Sequence, residues 1–281
     1  MKILILGASG TVGNPLFHTL KCETDYEIHG TFHKNKPTDA VSNHWHEYNT
    51  ADNTRLKSIL KSINPDIIIS SLNANFEEQL DAHKHIQETK AHIIFISTAN
   101  VFDGDIRGGH TEDKATYPIS NYGKFKETCE AMFPKGLIIR LPKILDAATV
   151  EKWTHDALTG QSPIYSNLYM SLNTPQNVAD AIKFCIDTGK MGTLHLTSTD
   201  SISIDCAVRQ MLAHKGIPAN YTPAELSIQS YCNLLGCHNP EQLRHNNDNT
   251  FRLGLTSKNR DIISRFQISC AEAVATALGP I

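Results

Sequence analysis

The stretch KILILGASGTVG, Lys2 to Gly13, narrows the fold of this 281-residue chain more than any other. Lys2–Leu6 is a short apolar run that passes directly into glycines at 7, 10 and 13, and a helical pattern follows. A continuously apolar strand belongs in a sheet covered on both faces. Glycine at 7 permits a tight turn off the strand. Glycine at 10 lets a pyrophosphate approach the backbone, and glycine at 13 lets the helix pack closely on the sheet. Phosphates would then lie against the N–H groups and positive end of that helix. The expected dinucleotide contacts are Gly7, Ser9, Gly10, Thr11, Val12 and Gly13. A purely structural turn is the bland alternative, and the order strand, glycine turn, helix speaks for the dinucleotide.

The same rhythm continues along the chain. Strands are expected over Tyr26–Phe32, Ile67–Ser71, Ile93–Ser97, Leu137–Leu141 and Thr193–Leu196, with a weaker one at Trp45–Tyr48. Helices are expected over Thr11–Leu20, Asp52–Ile63, Glu77–Thr89, Ser120–Phe133 and Val178–Thr188. Such alternation means a Rossmann-type α/β fold, a doubly wound parallel sheet with right-handed crossovers. The expected organisation is a dinucleotide-binding domain over 1–142, rejoined by 174–198. A smaller, mostly helical substrate-binding part over 143–281 completes it, because little strand character follows Thr199.

Composition excludes several classes. Hydrophobic residues make up 40% and charged residues 20%, with a net charge of −3, so no nucleic-acid or membrane surface is indicated. No apolar run approaches the roughly 20 residues that span a bilayer. The opening MKILIL reads as a buried strand, since its apolar run falls short of the roughly 7–15 residues of a leader's core. Seven dispersed cysteines read as reduced thiols in a cytoplasm. Cys232, Cys237 and His238, with His214 and His245 nearby, lack the short Cys-x2–4-Cys spacing of a zinc site, so no metal is expected.

The second strand should end beside the adenosine ribose, where NAD-binding chains normally place an acid. Here the residues are Phe32-His33-Lys34-Asn35-Lys36. A carboxylate would repel a 2′-phosphate, whereas His33, Lys34 and Lys36 would attract it. NADP(H) is therefore expected over NAD(H), against the alternative of a solvated basic loop.

Farther on, PISNYGKFKETCE places Tyr122 and Lys126 four residues apart, on one helix face, with Lys124 turned away. Upstream, the strand HIIFIS leads into STANVFDG, Ser97 to Gly104. With the glycine turn, LIIRLPKIL and GTLHLTSTDSIS, these make five segments in order. Together they resemble the extended short-chain dehydrogenase/reductase superfamily, and within it the dTDP-4-dehydrorhamnose reductase-like (RmlD-like) branch.

The resemblance implies reduction of a keto group on a nucleotide-linked deoxysugar, with Thr98, Tyr122 and Lys126 as the catalytic set. Tyr122 would protonate the developing alkoxide. Lys126 would lower the phenol's pKa and bond the nicotinamide ribose, and Thr98 would hydrogen-bond the carbonyl oxygen. Ser97 is the competing hydroxyl. Further cofactor contacts implied are Asn49, Ser70, Ser71 and Leu72. Substrate contacts are expected from Val101, Phe102, Arg140 and Lys143, and from Tyr165–Tyr169. Arg140 could equally end a strand and pair with an acid. His110 and Asp113 read as loop surface. Family members are often dimers, so a homodimer is implied.

Departures from the family pattern narrow the choice. Ala99-Asn100 stands where Asp-Tyr is usual, Phe125 where Ser or Thr is common, and Cys129 where Gly is common. Ser70-Ser71-Leu72 replaces an Asn-Ala-Ala turn, and NDNTFRLGLTSKNRDIISRF replaces an Arg-Pro-containing segment. Two other readings stand beside the reductase. A sugar-nucleotide epimerase or dehydratase is disfavoured by the basic second-strand end and by the lack of acids at 99–100. A non-catalytic NADP-binding sensor would need neither Tyr122 nor Lys126.

Overall fold

The computed structural model describes residues 1–37, 44–237 and 239–279. His238 of the zinc reading lies outside them. In chain order the elements begin with β1 (Lys2–Leu6), α1 (Gly13–Glu23), β2 (Glu27–Phe32), β3 (Trp45–Glu47) and α2 (Asn53–Ile63). Next come β4 (Ile67–Ser70), α3 (Phe76–Gln87), β5 (His92–Thr98), α4 (Asn121–Met132) and β6 (Leu137–Leu141). The chain continues through β7 (Lys143–Ile144), α5 (Ala147–Thr159), β8 (Leu168–Met170), β9 (Leu172–Asn173), α6 (Pro175–Asp187) and β10 (Gly192–His195). It ends with β11 (Ile202–Ser203), α7 (Ile204–His214), α8 (Ile228–Leu235), β12 (Phe251–Arg252), α9 (Arg260–Phe266) and α10 (Cys270–Leu278).

Two compact units divide these elements. The first comprises Met1–Ser97, Thr128–Ile139 and Pro175–Thr193. The second comprises Thr98–Glu127, Arg140–Thr174 and Leu194–Ile281.

The first unit is built on the seven-stranded sheet, ordered β10-β6-β5-β4-β1-β2-β3. β1 pairs in parallel with both β2 and β4, with Leu4 opposite His29 and Ile68. Strand order thus reverses direction beside β1, which makes the C-terminal ends of β1 and β4 the topological switch point where such sheets bind ligands. Ile3, Leu4, Ile5 and Leu6 are all buried, as a strand covered on both faces requires. α2 shows why these sequences make helices: Leu56, Ile59, Leu60 and Ile63 form one buried stripe. Its N-cap Asp52 accepts the Arg55 N–H at 2.8 Å, and Asn64 closes the other end in the left-handed region. Each fully buried Leu or Ile of that stripe contributes about 1.5–3 kcal/mol.

The second unit adds short strands to its helices: β11-β8-β12 form a three-stranded sheet and β7-β9 a two-stranded one. Strands of two or three residues are too short to leave a period-2 signal in a sequence. Single bridges Asp105–Arg244, Arg107–Arg252 and His110–Leu255 tie the loop after β5 to the segment around β12. One apolar cluster gathers Ile106, Ile119, Leu168, Leu226, Tyr231 and Phe251. Another gathers Leu145, Val150, Leu172, Met211, Cys270 and Val274. All seven cysteines are free thiols, five of them buried and Cys22 and Cys206 exposed. Among the described residues no helix is long and apolar enough to cross a membrane.

Candidate active site

The glycine turn lies in the first unit. Gly7 has φ +79°, and a Cβ there would stand 2.5 Å from the Ser71 carbonyl oxygen, so only glycine fits. A Cβ on Gly13 would come within 2.3 Å of the Gly7 oxygen, which is the close helix–strand approach expected of that position. The Gly7 N–H is held by Thr31 Oγ1 at 2.9 Å and the Gly10 N–H by the Gly7 oxygen at 3.0 Å. No side chain caps the start of α1 at Val12. Around the turn opens a cavity of about 160 Å³.

Six of the expected contacts line this cavity: Gly7, Ser9, Gly10, His33, Ser71 and Leu72. Thr11, Val12, Gly13, Lys34 and Asn49 do not line it. Lys34 is exposed, Val12 is buried, and Asn49 turns its Oδ1 to the Ala51 N–H at 3.3 Å. Ser70 also points elsewhere, with its hydroxyl 2.8 Å from His83 Nε2 inside the core. Thr31, Phe32, Tyr48, Thr50, Asn73 and Ala74 line the cavity and were not expected. They lie at or just after the C-terminal ends of β2, β3 and β4, so counting strand ends could have found them. The Tyr48 hydroxyl is buried without a hydrogen-bond partner, and burial pushes its pKa well above the usual value.

The catalytic candidates Thr98, Tyr122 and Lys126 all belong to the second unit. The two hydroxyls competing at the end of β5 part company. Ser97, in the first unit, is buried and donates to Glu130 Oε1. The Thr98 side chain bears on Tyr122, favouring the ionised form of its phenol, and its own hydroxyl donates to Asn100 Oδ1 at 3.0 Å. α4 starts where it does because the buried Asp103 carboxylate accepts the Ile119 N–H at 2.7 Å, the Ser120 N–H at 3.3 Å and the Ser120 hydroxyl. One helical turn after Tyr122, Lys126 Nζ lies 5.9 Å from the tyrosine ring centroid. Lys126 is only 6% exposed, whereas Tyr122 keeps 37% of its surface.

The Tyr122 pKa is not lowered, contrary to expectation. Burial raises it above the usual value near 10, and the Thr98 side chain offsets only part of that rise. A neutral phenol is the form that can donate a proton.

The expected substrate contacts are placed differently. Val101 and Phe102 are core side chains, packed with Leu255. Arg140 is buried, its guanidinium 5.1 Å from the Phe102 ring centroid and 3.4 Å from His195 Nε2. His195 Nδ1 lies 3.1 Å from the Thr256 carbonyl, so Nδ1 carries the proton and Nε2 accepts from Arg140. Lys143 has its Nζ 5.7 Å from the Trp153 ring centroid, and burial lowers its pKa. His110, read as loop surface, is instead buried and stacked on Phe102 with centroids 4.6 Å apart. Asp113 is exposed and pairs with Lys258 at 2.8 Å. Tyr169 lines a separate cavity of about 230 Å³ with Ser201, Arg252 and Thr256. Glu112 was not singled out in sequence, yet it accepts hydrogen bonds from the Ser257 hydroxyl and the Lys258 and His195 N–H groups.

The chain is similar to several known proteins. Residues 70–153, which contain both STANVFDG and PISNYGKFKETCE, match the family described as the RmlD substrate binding domain. A curated relative from Haloferax volcanii, "Probable low-salt glycan biosynthesis reductase Agl14", is 23% identical over 232 residues, covering 72% of this chain and 76% of its own. The structure of a dTDP-4-dehydrorhamnose reductase from Yersinia enterocolitica superposes with a TM-score of 0.74 at 20% identity, covering 99% of this chain and 98% of that one. A second such reductase, from Bacillus anthracis in complex with NADP, gives 0.70 at 18% identity, covering 97% and 96%. These matches bear out the resemblance read from the motifs, and the fold class with it.

Proposed function

We propose that this chain, with its RmlD-like central segment, is an NADP(H)-dependent reductase of a keto group on a nucleotide-linked deoxysugar. The observation that carries the reading is the buried Lys126 one turn along from Tyr122, its Nζ 5.9 Å from the ring centroid, inside the matched segment. A pure binding protein has no use for a phenol beside a buried lysine.

The residues around the glycine turn suit a dinucleotide. A Cβ on Gly10 would meet nothing closer than the Gly7 oxygen at 3.2 Å, so that side of the loop is open to a ligand. Tyr48 lines the same cavity, and its hydroxyl is buried without a partner. Gly7, Ser9 and Gly10 would hold the phosphates, and His33 with Lys34 a 2′-phosphate. When bound, the reduced nicotinamide supplies a hydride to the carbonyl carbon. The Tyr122 hydroxyl then gives its proton to the carbonyl oxygen, and the phenolate takes a proton back from water. Lys126 stabilises that phenolate while it lasts, and Thr98 keeps the phenol in register. The substrate-binding part would be supplied from 143–281, and the enzyme would act in the cytoplasm.

The epimerase or dehydratase reading lacks support at Ala99-Asn100, where no acid is present to move a second proton. Steady-state NADPH oxidation with a panel of 4-keto nucleotide sugars tests the proposal. Turnover that drops about 10²- to 10⁴-fold in Tyr122→Phe, with NADPH affinity retained, is the expected result. NADPH binding without turnover of any panel member would overturn it.

A further inference from the structure

The order of strands across the sheet gives the dinucleotide cavity a direction. Its walls come from the ends of β4, β1, β2 and β3, which are neighbours in that order. A pyrophosphate at the glycine turn after β1, with its ribose beside His33 after β2, leaves the base to reach the residues that follow β3. Two hydroxyls stand there, Tyr48 and Thr50, both lining the cavity and both buried. Asn49, between them, is exposed and bonds the Ala51 N–H. The Thr50 hydroxyl donates to Glu78 Oε2 at 2.6 Å, the separation of a hydrogen bond to a carboxylate. Glu78 belongs to the first turn of α3, where a negative side chain is stabilised. The N-cap Asn75 fixes that turn by accepting the Glu77 and Glu78 N–H groups at 2.9 and 3.4 Å. The next residue, Gln79, donates to the Ala74 carbonyl at 2.6 Å and so pins a second part of the cavity wall.

We propose that Thr50 makes the base site selective for adenine, with Glu78 as the positioning residue that acts through it. This rests on the dinucleotide part of the reductase reading and extends it to the base. Thr50 has one hydroxyl proton, and a carboxylate only accepts, so with that proton on Glu78 the threonine turns lone pairs to the cavity. A base placed against it has to donate. Adenine does so through its amino group. The Tyr48 hydroxyl is buried without a partner and keeps its own proton, so it is available to the neighbouring ring nitrogen, which accepts. Hypoxanthine differs from adenine by a carbonyl oxygen in place of the amino group and a proton on that ring nitrogen. Its oxygen would meet the Thr50 lone pairs, and neither acceptor would find a proton. Without Glu78 the Thr50 proton is free to turn into the cavity, and the site then accommodates either base.

Calorimetric titration with NADP⁺ and with its hypoxanthine analogue tests this without turnover, in the parent protein, Thr50→Val and Glu78→Leu. The parent should bind NADP⁺ about tenfold more tightly than the analogue. In Thr50→Val, which keeps the shape and removes the acceptor, that ratio should fall to about twofold or less. It should fall in Glu78→Leu as well, where the threonine remains but its proton is released. A substitution that merely loosened α3 would weaken both nucleotides by one factor and leave the ratio where it was. Equal affinity of the parent for the two nucleotides overturns the inference, and that comparison needs no variant to fold. A ratio unchanged in Thr50→Val overturns the role of Thr50, and one unchanged in Glu78→Leu overturns that of Glu78. Each of these results leaves the dinucleotide reading standing. A parent that binds neither nucleotide overturns that reading and the inference with it.

Discussion

Lys126 Nζ lies 5.9 Å from the centroid of the Tyr122 ring, yet the Tyr122 phenol is held above its usual pKa by burial. Desolvation is the largest influence on the phenol, and the Thr98 side chain opposes it.

A pH profile follows from that balance. A proton donor works while protonated, so reduction should proceed undiminished across neutral pH and decline only as pH rises through a value above about 10. The measurement is kcat for ketone reduction against pH, with the stability of the fold checked at the alkaline end. A decline centred near neutral pH would mean that Lys126 dominates after all.

Lys34 is exposed next to His33, which lines the cofactor cavity. Lys34→Ala should raise the KM for NADPH about tenfold and leave that for NADH unchanged, because only the 2′-phosphate gains a charge-assisted hydrogen bond there. Equal losses for both cofactors would remove the case for NADP(H).

Tyr48→Phe tests the cofactor cavity itself, which Tyr48 lines. Its hydroxyl is buried without a partner, so removing it should leave the free protein as stable as before or slightly more so. Affinity for the dinucleotide should nevertheless fall by about 1 kcal/mol, roughly fivefold, if the ligand supplies the missing partner. Denaturant melts and fluorescence titration of NADPH measure the two effects separately.

Gly7→Ala should destabilise the fold by about 1–3 kcal/mol. The backbone there has φ +79°, and the added carbon would meet the Ser71 oxygen. Urea unfolding reads the loss directly, and Gly160→Ala provides a control with positive φ but open space around it.

Glu112 gives the second unit an acid-sensitive joint. Burial would raise its pKa, but hydrogen bonds from Ser257 and from the Glu112 and Lys258 backbones hold it below the usual value. A folded-state pKa lower than the unfolded one contributes stability above about pH 4.5, which is lost as pH falls through the lowered value. Glu112→Gln should therefore flatten the acid limb of stability against pH and cost about 1–3 kcal/mol at neutral pH. Urea midpoints across the acid range measure both, and an unchanged acid limb would show that the joint does not titrate.

Much of the sheet was legible because its signals are local. β1 and β6 carry continuous apolar runs, and their boundaries agree residue for residue with those expected, Lys2–Leu6 and Leu137–Leu141. α2 was legible from its repeating Leu and Ile and from Asp52, a residue type that caps helices by itself. The strands of the second unit were not legible. β11 and β12 are two residues each, held by partners distant in sequence, so no stretch long enough to show a period encodes them.

The site divides along the same line. The glycine turn and the Tyr122/Lys126 spacing are properties of contiguous sequence, because backbone freedom and helical periodicity act over a few residues. Which hydroxyl of Ser97-Thr98 faces the phenol is not such a property. Successive strand residues point to opposite faces, and only Glu130 on one side and Tyr122 on the other assign them. The same holds for the Tyr122 pKa, since burial is a sum over side chains that the chain brings together only when folded. His110 is the plainest instance: in sequence it is a polar residue in a loop, and in the folded protein it is a buried ring stacked on Phe102.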